Sequence, residues 1–226
     1  MNVAEILELV RSAGRRYLCE DEAKEILSRV GIPVTPCRLA RTEDEAVERA
    51  GELGYPVVLK VRSPLIVHKS DTGGVALNLV DSRQVRRAYR EIMARAVAVD
   101  PAAAVTVQPM AESGREVIVG VTDDRQFGAV LLFGLGGVFT EILGDVSFRL
   151  LPVDRDAACS MIRSLRGYRL LSGYRGAPPA DEEALIDILI KVSDLVAAYP
   201  QIREMDLNPV VVYERGALVL DARIFI

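Results

Sequence analysis

The sequence is poor in the side chains that build disulfide frameworks and zinc sites. Among 226 residues it has one histidine, His68, and three cysteines, Cys19, Cys37 and Cys159. Because the cysteines are odd in number, widely spaced and without a CxxC pair, a zinc site has too few ligands and a disulfide framework is not expected. We predict that the cysteines are reduced packing residues in a cytoplasmic protein.

The sequence also lacks an excess of positive charge and a long hydrophobic run. Its formal net charge is −4 and its pI is about 5.3, which leaves no electrostatic footprint for a nucleic acid. The longest apolar run, residues 129–139, contains three glycines and is too short to cross a bilayer. The N-terminus is charged from Glu5 onward and has no signal-peptide core. We therefore expect neither a nucleic-acid partner nor a membrane location.

The overall composition, with half of the residues apolar and 27% charged, is typical of an ordered soluble protein. Helical and strand patterns alternate, which predicts an α+β fold with an N-terminal helical segment at 1–20 and two subdomains at 21–110 and 111–226. Helix starts are predicted at Thr42, Ser82 and Asp154, and over residues 178–181 for the last helix. Strands are predicted at 57–61, 75–80, 104–108, 115–121, 127–133, 146–151, 209–213 and 217–221.

One stretch, residues 57–75, combines residues that suit a polyphosphate. A lysine, Lys60, lies on an aliphatic strand, and the paired glycines Gly73 and Gly74 follow after a loop that contains His68. The ammonium group supplies positive charge, glycines let backbone N–H groups approach phosphate oxygens, and histidine can accept a phosphoryl group. Each residue also has an ordinary interpretation: an edge-strand lysine that points at water, a tight turn, and an exposed histidine without a role.

A second set of polar residues lies near the C-terminus. Asp206 and Asn208 alternate onto one face of an extended segment, and Asp221 lies on the following strand, beyond the turn at 214–216. Cross-strand pairing can bring Asn208 and Asp221 together, and their amide and carboxylate oxygens are hard ligands of the kind that Mg²⁺ takes. The alternative is an Asn-Pro turn beside a solvated aspartate.

The segment Gln108-Pro109-Met110 ends a strand at the predicted boundary between subdomains. Proline has no N–H, so neighbouring backbone groups are expected to be free to pair with a flat ring such as adenine. Glu116, on the next strand, is a candidate acceptor for ribose hydroxyls.

Nine motifs, in order along nearly the whole chain, resemble the ATP-grasp β subunit of ADP-forming acyl-CoA synthetases, which include acetate–CoA ligase (ADP-forming) and are relatives of succinyl-CoA synthetase. The motifs are Gly-Ile-Pro-Val (31–34), Pro-Val-Val-Leu-Lys (56–60), His-Lys-Ser-Asp-Thr-Gly-Gly-Val (68–75), Val-Gln-Pro-Met (107–110), Arg-Glu-Val-Ile-Val-Gly (115–120), Phe-Gly-Leu-Gly-Gly-Val-Phe-Thr-Glu (133–141), Asp-Val-Ser-Phe-Arg-Leu (145–150), Met-Asp-Leu-Asn-Pro-Val (205–210) and Leu-Asp-Ala-Arg (220–223).

The resemblance implies an ATP-grasp fold, with the nucleotide held between two α+β subdomains. It implies the reaction acyl-CoA + ADP + phosphate ⇌ acid + CoA + ATP, with Mg²⁺ and ATP or ADP, through an acyl phosphate and phosphohistidines. The site residues that it implies are His68 and Asp206 for catalysis, Asn208 and Asp221 for Mg²⁺, and Lys60, Thr72, Gly73, Gly74, Val75, Gln108, Pro109, Met110 and Glu116 for the nucleotide. Asp206 stands where the succinyl enzymes have glutamate, and a role in orienting phosphorylated His68 is expected.

The resemblance further implies a CoA-binding α subunit that carries a second catalytic histidine, in an α2β2 heterotetramer. The present sequence has no CoA-binding Rossmann half and no second histidine, so this chain alone is not expected to complete the reaction. Two alternatives stay open: a stand-alone ATP-grasp ligase that joins a carboxylate to an amine, which has no use for His68, and a non-catalytic nucleotide-sensing module.

Overall fold

The computed structural model describes residues 1–66, 69, 72–137 and 144–226. These residues form two compact units. The first consists of Met1–Tyr17, Glu25–Val34 and Ser113–Ile226, and the second of Leu18–Lys24 and Thr35–Glu112.

This division differs from the expected segments at the N-terminal end, because residues 1–17 and 25–34 belong with the C-terminal half. The physical reason is long-range backbone pairing. Val34 forms a parallel bridge with Val219, and the N–H of Ile226 donates to the carbonyl of Arg16. Pairing between residues so far apart in the chain cannot be recognised from a local sequence pattern.

Helices and strands alternate along the chain as an α+β fold requires. The helices are α1 (Val3–Ser12), α2 (Glu20–Arg29), α3 (Glu43–Leu53), α4 (Ser82–Ala96), α5 (Arg155–Arg163), α6 (Arg169–Ser172) and α7 (Glu182–Ala198). The strands are β1 (Tyr17–Leu18), β2 (Arg38–Ala40), β3 (Val57–Arg62), β4 (Val75–Leu79), β5 (Ala104–Pro109), β6 (Arg115–Asp124), β7 (Gly128–Leu135), β8 (Val146–Leu150), β9 (Glu204–Val212), β10 (Ala217–Val219) and β11 (Ala222–Phe225).

The second unit is built on an antiparallel sheet in the order β2-β5-β3-β4. One face of the sheet, including Val57, Leu59 and Val107, packs with α3 and α4 into an apolar core. Lys60 points to the other face, because side chains alternate along a strand. In the pairing of β3 with β5, Lys60 lies opposite Thr106. The strand register therefore gathers polar side chains on one face and the apolar core on the other.

The larger sheet has the order β1-β11-β9-β6-β7-β8, with β10 also paired to β9, and its pairs from β11 to β8 are antiparallel. Helix α5 packs against α7 and against strands β7 and β8. A row of residues crosses the sheet in register: Arg223, Asp206, Gly120, Leu132 and Phe148. In this row Asp206 is paired with Gly120, which carries no side chain.

Most of the predicted helix starts are confirmed. The side chains of Thr42, Asp154 and Asp181 accept the N–H three residues on and open α3, α5 and α7. The expected cap at Ser82 is wrong: Asp81 accepts the N–H of Gln84, so the cap lies one residue earlier. Among the residues described, no helix is long and apolar enough to cross a membrane.

Candidate functional site

Lys60 lies inside the second unit. Strand β3 is flanked by β5 and β4, and Lys60 is only 8% exposed. Its Nζ lies 2.8 Å from Oε1 of Glu20. The interpretation of Lys60 as an edge-strand lysine that points at water is therefore wrong, and the lysine belongs to a buried ionic cluster.

The centre of that cluster is Glu20, at the start of α2, which the sequence reasoning missed. Oε1 of Glu20 accepts from Nζ of Lys24, Nζ of Lys60 and Nε2 of Gln108, each at 2.8 Å. Oε2 accepts from Nζ of Lys69 at 2.5 Å. One carboxylate thus connects helix α2, two strands and the loop between β3 and β4.

The ionisation of Glu20 follows from its neighbours. Burial by itself raises the pKa of the Glu20 carboxyl, but Lys60, Lys69 and Lys24 together hold that pKa well below its usual value. Burial lowers the pKa of Lys24, and Glu20 opposes this shift only in part. Burial and the nearby Glu20 charge raise the pKa of the Cys37 thiol to about 12. Glu20 is therefore an anion in the folded protein, and Cys37 is a packed thiol, as the sequence predicted.

The side chain of Gln108 points into this cluster. Besides donating to Glu20, Gln108 accepts through Oε1 from Nζ of Lys24 at 2.7 Å and from Oγ1 of Thr35 at 3.1 Å. The N–H of Met110 donates to the carbonyl of Pro56 at 2.9 Å. The expectation that backbone groups beside Pro109 are free is therefore wrong for the Met110 N–H. The assignment of 108–110 to the adenine stays a prediction.

Gly74, after the loop, is needed for close packing against Val61 and the Lys69 backbone. The N–H of Gly74 donates to the carbonyl of Lys69, and the carbonyl of Gly74 accepts from the N–H of Val61, both at 2.7 Å. A Cβ on Gly74 would lie 2.5 Å from Cγ1 of Val61. Thr72 Oγ1 donates to the same Lys69 carbonyl at 3.1 Å. The Gly74 N–H is thus already used within the protein and is not directed at a phosphate.

The two remaining predicted residues of the stretch 57–75 are Val75 and His68. Val75 begins β4 and pairs with Lys60. His68 lies outside the described residues, so its predicted catalytic role rests on the sequence alone.

The predicted metal ligands lie together in the first unit. The N–H of Asn208 donates to the carbonyl of Asp221 at 3.2 Å, which confirms that their backbones are close, but Asp221 lies between β10 and β11 and not on a strand as predicted. Burial raises the pKa of Asp206, the Arg223 charge opposes this, and Asp221 contributes a smaller increase. Within the described ranges, no cluster of three or more His, Cys, Asp or Glu residues is arranged to hold a metal. The amide of exposed Asn208 and the carboxylate of Asp221 nevertheless offer hard oxygens, which fits a Mg²⁺ ion whose remaining ligands are phosphate and water.

Glu116 lines a cavity of about 390 Å³ in the first unit. The N–H of Gly136 donates to the carbonyl of Glu116 at 2.7 Å, and a Cβ on Gly136 would lie 2.7 Å from Cβ of Glu116. The rest of its described lining is mainly apolar, with Leu135, Leu171 and Tyr174, and also includes Arg115. Among the described lining residues, apolar side chains together with the Glu116 carboxylate and Arg115 suit a ligand that combines a flat ring with hydroxyl donors.

Comparisons with known proteins cover nearly the whole chain. The family model of the ATP-grasp domain matches residues 9–226. The chain is 48% identical over 225 residues to the protein named acetate–CoA ligase [ADP-forming] I subunit beta from Pyrococcus furiosus, which covers 98% of this chain and 97% of the relative.

Solved structures also match over nearly the whole chain. The dinucleotide-forming acetyl-coenzyme A synthetase 1 of Ca. Korarchaeum cryptofilum, in complex with coenzyme A, Ca-AMPCP and HgCl+, superposes with a TM-score of 0.94 at 47% identity over 98% of both chains. A selenomethionine form of that enzyme, with coenzyme A and Mg-AMPPCP and a phosphohistidine segment that points towards the nucleotide binding site, gives a TM-score of 0.88 at 45% identity over the whole of both chains.

Proposed function

The chain belongs to the ATP-grasp domain family, and from that premise we propose that it is the nucleotide-binding β subunit of an ADP-forming acyl-CoA synthetase. The observation that carries the proposal is the 48% identity to a named β subunit over nearly the full length of both proteins. The complete reaction is acyl-CoA + ADP + phosphate ⇌ acid + CoA + ATP.

The part of the reaction assigned to this chain is transfer of a phosphoryl group between nucleotide and His68. In the direction of ATP use, an unprotonated imidazole nitrogen of His68 attacks the γ-phosphorus of ATP. A P–N bond forms, the P–O bond to the β-phosphate breaks, and ADP leaves with that oxygen. Because such transfer is governed by positioning and charge neutralisation, the surrounding cations and donors determine its rate.

The described residues suit these tasks. The phosphate contact of Lys60 is proposed from the sequence motif at 56–60, and in the structure its ammonium group is buried and bound to Glu20. Glu116 lines the cavity that is a candidate for the nucleoside. Asn208 and Asp221 would hold Mg²⁺, which neutralises charge on the phosphates when bound. The orientation of phosphorylated His68 by Asp206 belongs to the same proposal.

The proposal also includes a partner. The relative from Pyrococcus furiosus is a β subunit by name, and the present chain has no second histidine to receive the phosphoryl group. We propose a CoA-binding α subunit as the acceptor, in a cytoplasmic α2β2 assembly. The mass of the complex in solution, measured after the two chains are expressed together, tests the stoichiometry.

The deciding experiment is incubation of the purified chain with Mg²⁺ and γ-labelled ATP, beside the variant His68→Asn. We expect label that is labile in acid and stable in alkali on the unmodified protein, and none on the variant. Nucleotide binding without label, also after addition of the α subunit, would contradict the proposal. That result would favour an ATP-grasp carboxylate–amine ligase or a nucleotide sensor.

A further inference from the structure

Arg223 lies beside the candidate metal ligands of the first unit. It belongs to β11 and is paired directly with Asp206 of β9. Directly paired residues of an antiparallel sheet have their side chains on one face, with Cβ atoms about 4.5–5.5 Å apart. Two residues further along β9, the N–H of Asn208 donates to the carbonyl of Asp221. The pair of Arg223 and Asp206 is therefore only about 7 Å along the strand from the pair of Asn208 and Asp221.

The guanidinium group of Arg223 has no close partner in the described part of the chain, where it makes no hydrogen bond and no ion pair. Burial raises the pKa of Asp206, and the Arg223 charge opposes that shift only from a longer distance. The neighbours Ala222 and Ile224 are buried and fix the strand, whereas Arg223 is half-buried. The guanidinium group is thus held at the surface with its donors available to a ligand.

The position on the other side of Asp206 leaves room for such a ligand. Gly120 of β6 is paired with Asp206 and carries no side chain. A Cβ on Gly120 would meet its nearest neighbour, the carbonyl oxygen of Met205, at 3.4 Å, so the packing of the sheet does not itself require a glycine there. Within the described ranges, this row of the sheet therefore leaves the surface beside Asp206 open.

The charges on this face require a cation if the face is to bind a polyphosphate. A nucleoside triphosphate with one bound Mg²⁺ keeps an excess of negative charge, and Asp206 and Asp221 are acidic. The two carboxylates would repel the phosphates, and a nearby cation offsets this repulsion. A guanidinium group suits the task because its planar fork can donate two N–H groups to one phosphate.

The order of residues along β9 indicates which phosphate Arg223 would meet. Glu116, which lines the candidate nucleoside cavity, is paired with Val211. From Val211 towards the start of β9, Asn208 comes first, and Asp206 with Arg223 opposite it comes next. A nucleotide with its nucleoside near Glu116 and its Mg²⁺ at Asn208 thus extends its terminal phosphate towards Arg223.

We propose that Arg223 binds the terminal phosphate of a nucleoside triphosphate through the guanidinium group that it holds beside Asp206. This inference rests on the proposed function. It adds a phosphate contact on β11, and it makes Arg223 a residue that distinguishes a nucleoside triphosphate from a diphosphate.

The test is isothermal titration calorimetry of the full chain and its variant Arg223→Met, with Mg²⁺ present throughout. The ligands are ADP and AMPPCP, an ATP analogue whose terminal phosphoryl group is not transferred. Loss of charge-assisted hydrogen bonds to the phosphate should weaken the binding of AMPPCP by about 10- to 100-fold. ADP lacks the terminal phosphate, so its dissociation constant should change by less than about threefold.

Two further variants serve as controls. Arg223→Lys keeps the charge but not the planar fork, so it should recover part of the affinity for AMPPCP. Arg203→Met makes the same chemical change in the same unit, at the exposed ion pair with Asp123, and should leave both affinities unchanged. Far-UV circular dichroism shows whether each variant is folded. If Arg223→Met does not fold, the two ligands are compared on Arg223→Lys, for which a loss confined to AMPPCP is expected.

The outcomes separate this inference from the proposed function. If the wild-type protein binds neither ligand, the proposed function fails and this inference fails with it. If the wild-type protein binds both, an unchanged affinity of Arg223→Met for AMPPCP overturns the role of Arg223 alone. Equal losses for AMPPCP and ADP also overturn that role, because Arg223 would then support the nucleotide site as a whole and not contact the terminal phosphate.

Discussion

Replacement of Glu20 by glutamine tests the stability of the buried cluster directly. The carboxylate lies 2.5–2.8 Å from three ammonium groups, and its side chain is only 2% exposed. Glutamine has nearly the same shape, but it is neutral, and one of its two polar atoms is a donor. The variant therefore leaves buried cations beside an amide and creates no cavity.

The magnitude follows from the general behaviour of buried ion pairs. Removal of one partner typically destabilises a protein by about 3–5 kcal/mol, because it leaves an uncompensated charge in the interior. Loss of a proton from Lys24, whose pKa burial already lowers, relieves part of this penalty. We therefore expect the free energy of unfolding to fall by about 3 kcal/mol at neutral pH, the lower end of that range.

The pH dependence has a defined sign. The pKa of Glu20 in the folded protein lies below its value in the unfolded chain, which is about 4.3. The stabilisation by the carboxylate is thus fully present above about pH 4.3 and is lost as the pH falls through the folded-state pKa. The difference between the wild-type protein and Glu20→Gln should accordingly shrink in acid.

The assay is urea unfolding followed by far-UV circular dichroism, since the chain has no tryptophan for fluorescence. A matched control is Glu25→Gln on the same helix, where the partly exposed carboxylate pairs with Arg29. The control should change stability by less than about 1 kcal/mol. A loss in Glu20→Gln no larger than in the control, or one that persists unchanged in acid, would refute the reasoning.

Three further predictions concern the proposed reaction. Gly136→Ala should lower the free energy of unfolding in urea by about 1–3 kcal/mol and weaken nucleotide binding, because the added Cβ would lie 2.7–2.9 Å from atoms of Glu116. In the control Gly51→Ala the added Cβ meets no atom within 4 Å, so that variant should be neutral or stabilising. Asp221→Asn should weaken use of Mg²⁺-ATP more than binding of ATP without metal, and equal losses in titrations of both would indicate a folding role instead. Phosphorylation of His68 at saturating Mg²⁺-ATP should slow below about pH 6, where imidazole becomes protonated, and a flat rate from about pH 5 to 8 would contradict this.

Features that depend on neighbouring residues in the sequence were predictable. Thr42, Asp154 and Asp181 each bond to the N–H three residues on, so the signal and its structural effect lie within one helical turn. The apolar face of α7 follows from the same periodicity, with Leu185 and Val192 buried as expected. The cap of α4 shows the limit of such signals, because Asp81 and Ser82 are both good caps and the sequence does not rank them.

Features that depend on distant pairings were not predictable from single residues. Strands β1 and β11 have two and four residues, too few for a periodic pattern, and both are defined by partners far along the chain. Glu20 and Lys24 have the spacing of an ordinary helical ion pair, which gives no sign that β3 and β5 bury them. The resemblance identified Lys60 and Gln108 separately, and only the fold connects them through one carboxylate.

The position of this cluster argues that it serves the reaction more than the stability of the fold. Replacement of a buried ionic cluster by apolar side chains of similar size is often neutral or stabilising, so charges in an interior need another reason to be there. An apolar alternative is close at hand, since the opposite face of the same sheet is filled by Val57, Leu59 and Val107. The polar face instead holds Lys60 and Gln108 against Glu20, which also accepts from Lys69. A charged face of this kind is expected where a unit binds an anion such as the proposed phosphate.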